Sequence, residues 1–377
     1  MLPRVLVCLG AFWSFSVAQQ RLDLYEGDIC KETPGALWTC KARKDCPTAG
    51  GLSDGNTVQE CNSQGSEPIV CCEPSLKQHT DVGAKTRLMC KKYAEYVYVS
   101  GTLDDGDVVK LDTCGFIEPF KRSVRSVGMN TSPMEFPHMA LIGYGENNAI
   151  TWLCGGSLIS ERYVLSAAHC NDAGPKRGLA RWVRLGDYNA KNTDDDEMGL
   201  AKTMKYEIIE RIIHPEYLRR SVYNDIALYK LEKNVEFNEY VRPICLQTKH
   251  QFAKSYVIGA GWDPNERLGK NNGVLQKVNL TITPRKQCSE AYESVKATEK
   301  LKSGIDDASM VCAVDKENAD PCLVDAGGPI MIRLTTPYCM YSQVGIASFG
   351  TQCSGNRPGV YTRVSRYVPW IESIVWP

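Results

Sequence analysis

Six cysteines, Cys30, Cys40, Cys46, Cys61, Cys71 and Cys72, crowd a stretch that otherwise offers Gly, Pro, Ser, Asn and Asp and few large apolar side chains. A segment of fewer than about 50 residues with that composition cannot bury enough apolar surface to hold a fold, so crosslinks must supply the order. Six cysteines admit many pairings, and spacing alone does not choose among them. The chain of 377 residues is longer than one such unit needs, and two or more units are expected.

Crosslinks on this scale require an oxidising compartment, and the N-terminus supplies a route to one. Met1-Leu2-Pro3-Arg4 precedes an apolar run from Val5 to Val17, with the small residues Ser16 and Ala18 suited to cleavage. Residues 1–18 therefore read as a secretory signal peptide, too short to span a bilayer. Of the 17 cysteines, Cys8 leaves with that peptide, and the even remainder is consistent with full pairing. Lys+Arg and Asp+Glu balance at 44 each, so no global field recruits nucleic acid or an anionic membrane. The cysteines are scattered, histidines number five, and no Cys-x-x-Cys pair is present, so no metal is expected.

From residue 126 to 377 short apolar strands alternate with Gly, Pro, Asn and Asp turns, as in 140–144, 182–185, 256–262 and 344–349. That pattern predicts an all-β domain. Val364 to Trp376, with Val368, Ile371 and Ile374/Val375 at helical spacing, predicts one packed C-terminal helix. Three local motifs stand on this frame: Leu165-Ser166-Ala167-Ala168-His169-Cys170, Asn224-Asp225-Ile226-Ala227-Leu228, and Cys322-Leu323-Val324-Asp325-Ala326-Gly327-Gly328-Pro329.

In type and order these motifs resemble the histidine, aspartate and nucleophile motifs of the trypsin/chymotrypsin-like serine proteases. The resemblance implies a double six-stranded antiparallel β-barrel across residues 126–377. It makes His169 the general base, Asp225 the acid that fixes its tautomer, and Ser348 the hydroxyl that bonds the aspartate. Ala326 stands at the nucleophile position, and its methyl group cannot attack a carbonyl. Loss of that serine costs roughly a millionfold in turnover, about 8 kcal/mol. Val324 stands where the family has an oxyanion-hole glycine; its β-branch is expected to crowd the place of the substrate carbonyl. Asp320, Gly350 and Gly359 match the pocket that receives Arg or Lys. Without a nucleophile, the pocket also reads as an inheritance with no ligand, and His169–Asp225 as a hydrogen-bonded structural pair.

By the same resemblance a cut after Arg125 frees Ser126, whose α-amino group would pair with Asp325; Lys121 and Arg122 are neighbouring cut sites. Ser126 replaces a large aliphatic first residue, forfeiting packing of ~1.5–3 kcal/mol, and Asp325 also reads as a leftover structural partner. The acidic run Asp194-Asp195-Asp196-Glu197 reads either as the family's calcium loop or as a solvated charged face. Asn279-Leu280-Thr281 and Asn130-Thr131-Ser132 match glycosylation acceptors, the second followed by Pro133.

The six-cysteine unit, ending in adjacent cysteines, resembles the clip domain of arthropod extracellular proteases, against the alternative of another small knot. The resemblance sets its limits at 28–73 and implies Cys30–Cys71, Cys40–Cys61 and Cys46–Cys72. A Lys-rich connector, 74–125, holds a short helix or strand at Tyr93 to Val99, with Cys90 and Cys114. The family's bridges imply Cys154–Cys170, Cys288–Cys312, Cys322–Cys353 and Cys114–Cys245, and parity then pairs Cys90 with Cys339. These resemblances imply a non-catalytic clip-domain protease homologue, secreted into the haemolymph. It would be an adaptor or cofactor in an innate-immune cascade such as melanisation, prophenoloxidase activation or opsonisation, with extracellular cascade proteases and their substrates as partners. The alternative is an active trypsin-like clip protease in which Ala326 is an engineered or erroneous replacement; it leaves Val324 and Ser126 unexplained.

Overall fold

The computed structural model describes residues 29–33, 36–46, 60–62, 68–72, 82–102, 108–114, 129–251, 254–262, 273–296, 298–315, 324–350 and 357–377. The chain divides into two compact units, residues 1–78 and 79–377. In the first, β1 (Ile29–Thr33), β2 (Ala36–Ala42), β3 (Glu60–Asn62) and β4 (Ile69–Cys72) form one antiparallel sheet in the order β1-β2-β4-β3. Bridges Cys30–Cys71, Cys40–Cys61 and Cys46–Cys72 cross it. Among the described residues Cys40, Cys61 and Cys71 form one buried cluster and Cys46, Cys72 and Val70 another, so what this sheet buries is largely sulfur. That is the substitute for an apolar core that so short a polar segment requires.

The second unit opens with helix α1 (Ala84–Ala94), a hairpin of β5 (Tyr98–Thr102) and β6 (Val108–Asp112), and β7 (Met129–Asn130). The first barrel is built from β8 (Met139–Tyr144), β9 (Thr151–Leu158), β10 (Tyr163–Ser166), β11 (Ala180–Leu185), β12 (Met204–Ile213) and β13 (Ala227–Leu231). It closes in the order β10-β13-β12-β11-β8-β9. Closure leaves no open edge, and a strand packed on both faces reads as a continuous apolar run. All six residues of β8 are buried, with no polar alternation. A short β14 (Cys245–Leu246) runs parallel to a strand of the second barrel, made from β15 (Tyr256–Gly261), β16 (Gln276–Thr283), β17 (Met310–Val314), β18 (Pro329–Arg333), β19 (Tyr341–Phe349) and β20 (Gly359–Arg363). Pairing of β19 with both β18 and β20 closes this second six-stranded ring.

Helices are few. Asp194–Glu197, Arg285–Ala291 and Glu293–Lys296 make short ones (α2, α3 and α4), and α5 (Val364–Val375) ends the chain. On α5 the buried Val364, Tyr367, Val368, Ile371 and Val375 form one stripe at helical spacing, as expected of an amphipathic helix laid on a barrel. The chain therefore has the double β-barrel of a trypsin-like fold with a C-terminal helix.

Two expectations for the connector are corrected. Helix α1 runs from Ala84 to Ala94, so Tyr93 ends a helix while Val99 lies in β5. The tethers are Cys90–Cys245 and Cys114–Cys339, in place of Cys114–Cys245 and Cys90–Cys339. Cα separations of 5.0 and 5.8 Å place both within bonding range. The docking of α1 beside β14 brings Cys90 to Cys245. Arg242 holds Thr113 by its hydroxyl at 2.8 Å and lies 3.7 Å from the Cys339 sulfur, directing the neighbouring Cys114 there. All four cysteines share one apolar cluster, which is why parity could not separate them.

Candidate functional site

His169 lies in a 3-10 turn, Ala168–Asn171, directly after β10, and Cys154–Cys170 ties that turn to β9. Asp225 sits just before β13. Asn224, at φ 55°, makes the bend that turns Asp225 inward, and its side chain accepts the Tyr367 hydroxyl at 2.9 Å. Asn tolerates this left-handed conformation better than most residues. The Thr362 hydroxyl on β20 holds the Asp225 carbonyl at 2.8 Å. Both barrels thus contribute to placing one carboxylate.

That carboxylate is fully engaged. Asp225 Oδ2 meets His169 Nδ1 at 2.8 Å and accepts the Ser348 hydroxyl, while Oδ1 accepts the His169 backbone N–H at 2.9 Å. The Asp225 side chain is 3% exposed and that of His169 is 35% exposed. With the proton on Nδ1 facing the acid, Nε2 is the lone pair left for the cleft. Burial alone would lower the His169 pKa, but the charge and hydrogen bond of Asp225 outweigh it and raise it above 6.5, against a smaller lowering by Lys300. Burial likewise pushes the Asp225 carboxyl up, and the charge of His169 with the bonds from His169 and Ser348 pulls it below 3.8. His169, Asp225 and Ser348 are brought together as the motifs implied.

The turn Asp325-Ala326-Gly327-Gly328 lies beside this pair and leads into β18. Gly155 N–H donates to the Ala326 carbonyl at 2.8 Å, and that oxygen lies 3.4 Å from Cys170 Sγ. Gly328 N–H closes the turn on the Asp325 carbonyl at 2.7 Å. Gly327 has φ +81°, and a Cβ there would stand 2.3 Å from the Ser166 hydroxyl, so the position requires glycine. Asp325 is buried, and its Oδ2 accepts the Trp262 N–H at 2.8 Å. Residue 326 contributes a methyl group, with no proton to surrender and no lone pair.

Val324 departs from expectation. It does not crowd the cleft: its side chain is 2% exposed and packs in the second barrel with Val257, Val278, Leu280 and Ile330. Its Cγ2 lies 2.3 Å from where a Cβ on Gly259 would be, so the valine fills a notch that a glycine leaves open. The pocket glycines also differ in role. A Cβ on Gly350 would meet the Tyr292 hydroxyl at 1.8 Å, and one on Gly359 would meet the Tyr361 hydroxyl at 3.0 Å. These glycines make room for two tyrosines that no motif in the sequence singles out. The Tyr292 hydroxyl donates to the Pro358 carbonyl at 2.7 Å, and burial pushes its pKa up to about 12. Arg125, Ser126, Asp320, the Cys322–Cys353 bridge and residues 1–18 lie outside the described residues. Cys288–Cys312 is formed.

The acidic run is not simply a solvated face. Asp195 is buried, and its Oδ2 accepts the N–H groups of Asn189 at 2.8 Å and Tyr188 at 3.2 Å. Burial pushes the neighbouring Asp187 carboxyl up to about 6, although the Arg184 guanidinium paired with it pulls the other way. Among the described residues, the cation paired with Asp187 is Arg184. Cys154, His169 and Cys170 come within ligating distance of one another, but the disulfide occupies both sulfurs. A water-sized cavity of about 20 Å³, lined by Glu135, Phe136, Asp187, Tyr188 and Leu275 among others, includes neither His169 nor Asp225. Asn130 and Asn279 are both exposed, on β7 and β16. Among the described residues no helix is long and apolar enough to cross a membrane.

A family model described as Trypsin matches residues 126–371. Serine protease snk of Drosophila melanogaster is 32% identical over 328 residues, which cover 85% of this chain and 72% of that protein. CLIP domain-containing serine protease B4 of Anopheles gambiae is 34% identical over 264 residues, 66% of this chain and 69% of its own length. Phenoloxidase-activating factor 1 of Holotrichia diomphalia is also 34% identical, with the same two shares.

Proposed function

Because the chain belongs to the trypsin family of serine proteases, we propose that it is a non-catalytic member, which binds cascade proteases or their substrates without cutting them. The observation that carries this reading is Ala326, in the turn beside an otherwise assembled His169–Asp225–Ser348 arrangement. A base without a hydroxyl to deprotonate has no acyl transfer to assist. The missing group is worth roughly a millionfold, about 8 kcal/mol. The name of the phenoloxidase-activating relative supports an immune cascade such as melanisation as the setting, and Ala326 an adaptor or cofactor role within it. The leader-like segment 1–18 and the crosslinked first unit support secretion into the haemolymph. Processing after Arg125 is the step we assign to activation.

The test is direct. Arg125-cleaved protein incubated with an arginyl amide substrate is expected to show no turnover, and a serine-reactive phosphonate no labelling. Turnover abolished by changing His169 would overturn the adaptor reading. The second reading, an enzyme whose natural residue 326 is serine, is favoured by the intact hydrogen bonds around Asp225. It predicts that Ala326→Ser alone regains hydrolysis. Failure of Ala326→Ser to regain hydrolysis would sink this second reading.

A further inference from the structure

Arg-Ser-Val occurs three times in the chain: at 122–124 in the connector, at 125–127 across its end, and at 220–222 between β12 and β13. The third copy sits on a loop that ends at Asn224 and Asp225. Its tip protrudes: Leu218 is 68% exposed, the Arg219 side chain 77% exposed, and Arg220 is exposed. The base of the loop is fixed. Tyr217 N–H donates to the His214 carbonyl at 2.9 Å, and Val222 N–H donates to the Lys300 carbonyl at 3.1 Å, with the Val222 side chain buried. Between these anchors the tip is held, among the described residues, by the Ser221 N–H on the Leu218 carbonyl at 2.8 Å, by the Tyr223 N–H on the Ser221 hydroxyl oxygen at 3.2 Å, and by one surface ion pair, Arg219 to Asp172 at 3.2 Å. Surface pairs of this kind contribute little, and exposed loop tips are the preferred places for nicking.

We propose that Arg220–Ser221 is a second cleavage site, cut by a trypsin-like endopeptidase of the class that would act at Arg125. Such an enzyme holds an arginine side chain on a carboxylate, a pairing that the guanidinium fork suits. Breaking the turn bond, the Tyr223–Ser221 bond and the Asp172 pair lets Leu218 to Ser221 extend into its cleft, with Arg220 as the anchoring side chain. In the hydrolysis, water adds across the amide: the Arg220 carbonyl carbon gains the hydroxyl, the C–N bond breaks, and Ser221 takes the proton as a free amine. The cut severs the loop joining β12 to β13, on the Asp225 side of the site. The choice of protease class rests on the processing assigned above to Arg125; the exposure and anchoring of the loop do not.

The disulfides make the two cuts separable. Cys90–Cys245 and Cys114–Cys339 join residues before 125 to residues after 221, whereas Cys154–Cys170 lies wholly within 126–220. A cut at either arginine alone therefore leaves one covalent body. Both cuts together release the piece 126–220 when the fold is denatured without reductant.

The experiment is brief digestion of the folded full chain with trypsin at a low ratio, read on non-reducing and reducing denaturing gels with N-terminal sequencing. Early appearance of a Ser221 terminus, with release of 126–220 only under denaturation, is expected. Arg220→Gln, on an exposed tip, loses that terminus and keeps Ser126; Arg125→Gln does the reverse. Ser126 without Ser221, cutting after Arg219 instead, or a Ser221 terminus persisting in Arg220→Gln overturns the proposal. Ser221 without Ser126 overturns the Arg125 processing and leaves this site standing.

Discussion

Glu372 on α5 accepts the backbone N–H of Thr86 at 2.7 Å and that of Gly83 at 3.2 Å, so a residue from the far end of the chain caps helix α1. The helix has no side-chain cap of its own, because Gly83 at φ 83° precedes it. A carboxylate there satisfies donors that the helix leaves unpaired and meets the positive end of its dipole. Lys85 adds a bond to the Trp376 carbonyl at 2.6 Å. Glu372→Ala is expected to cost about 1 kcal/mol and to speed amide exchange at Thr86 and Arg87 first. Unchanged exchange at those amides would show that the Glu372 carboxylate does not hold the start of the helix.

The bridge assignment predicts which thiol each deletion frees. Cys90→Ser leaves Cys245 unpaired, and Cys114→Ser leaves Cys339 unpaired, because α1 docks Cys90 beside β14. Alkylation under non-reducing conditions followed by peptide mapping identifies the labelled residue. Label on Cys339 in the Cys90→Ser chain would reverse the assignment.

Val324 and Gly259 are expected to behave as one unit. Gly259→Ala puts a methyl 2.3 Å from Val324 Cγ2, and overpacking of this kind costs roughly 1–3 kcal/mol. Combining it with Val324→Ala removes the opposing methyl groups, so the double variant should lose less than the sum of the singles, by about 0.5 kcal/mol or more. Urea unfolding of the four chains measures the coupling. Strict additivity would mean that the notch relaxes freely and that Val324 does not pin the turn.

These residues also mark how far the sequence can be read. His169 and Asp225 were legible because each belongs to a local motif whose backbone setting travels with it, and Ser348 through the family resemblance. Alternation of short apolar runs with turn residues made an all-β domain legible, the family resemblance implied its two barrels, and the stripe on α5 marked its helix. Val324 was misjudged because a motif gives a residue's place in the chain but not the direction of its side chain. That direction is set by Gly259, on a strand far away in sequence. Helix α1 was missed for a related reason: its apolar stripe is weak, and its cap comes from Glu372. The exchange among Cys90, Cys114, Cys245 and Cys339 depended on that same docking. Tyr292 and Tyr361 escaped notice because buried tyrosines in a barrel carry no local signature until Gly350 and Gly359 are seen against them.

The His169–Asp225 pair sets a pH dependence whose sign follows from its two shifts. His169 has a folded pKa above its unfolded value of 6.5, so its contribution is fully present below that value and is lost as pH rises through the folded pKa. Asp225 is depressed below 3.8, so its contribution is present above that value and is lost as pH falls through the folded pKa. The pair therefore stabilises the fold most between roughly pH 4 and 6.5. In Asp225→Asn the carboxylate charge is gone, and burial, the largest influence on His169, acts with Lys300 in the same direction. The imidazole pKa is then expected to drop below 6.5, and the stability lost as pH rises above 6.5 in the parent should flatten in the variant. Titration of the His169 ring protons by NMR reads the first effect, and urea unfolding across that range reads the second. An imidazole that titrates above 6.5 without the carboxylate would mean that Asp225 is not what raises it.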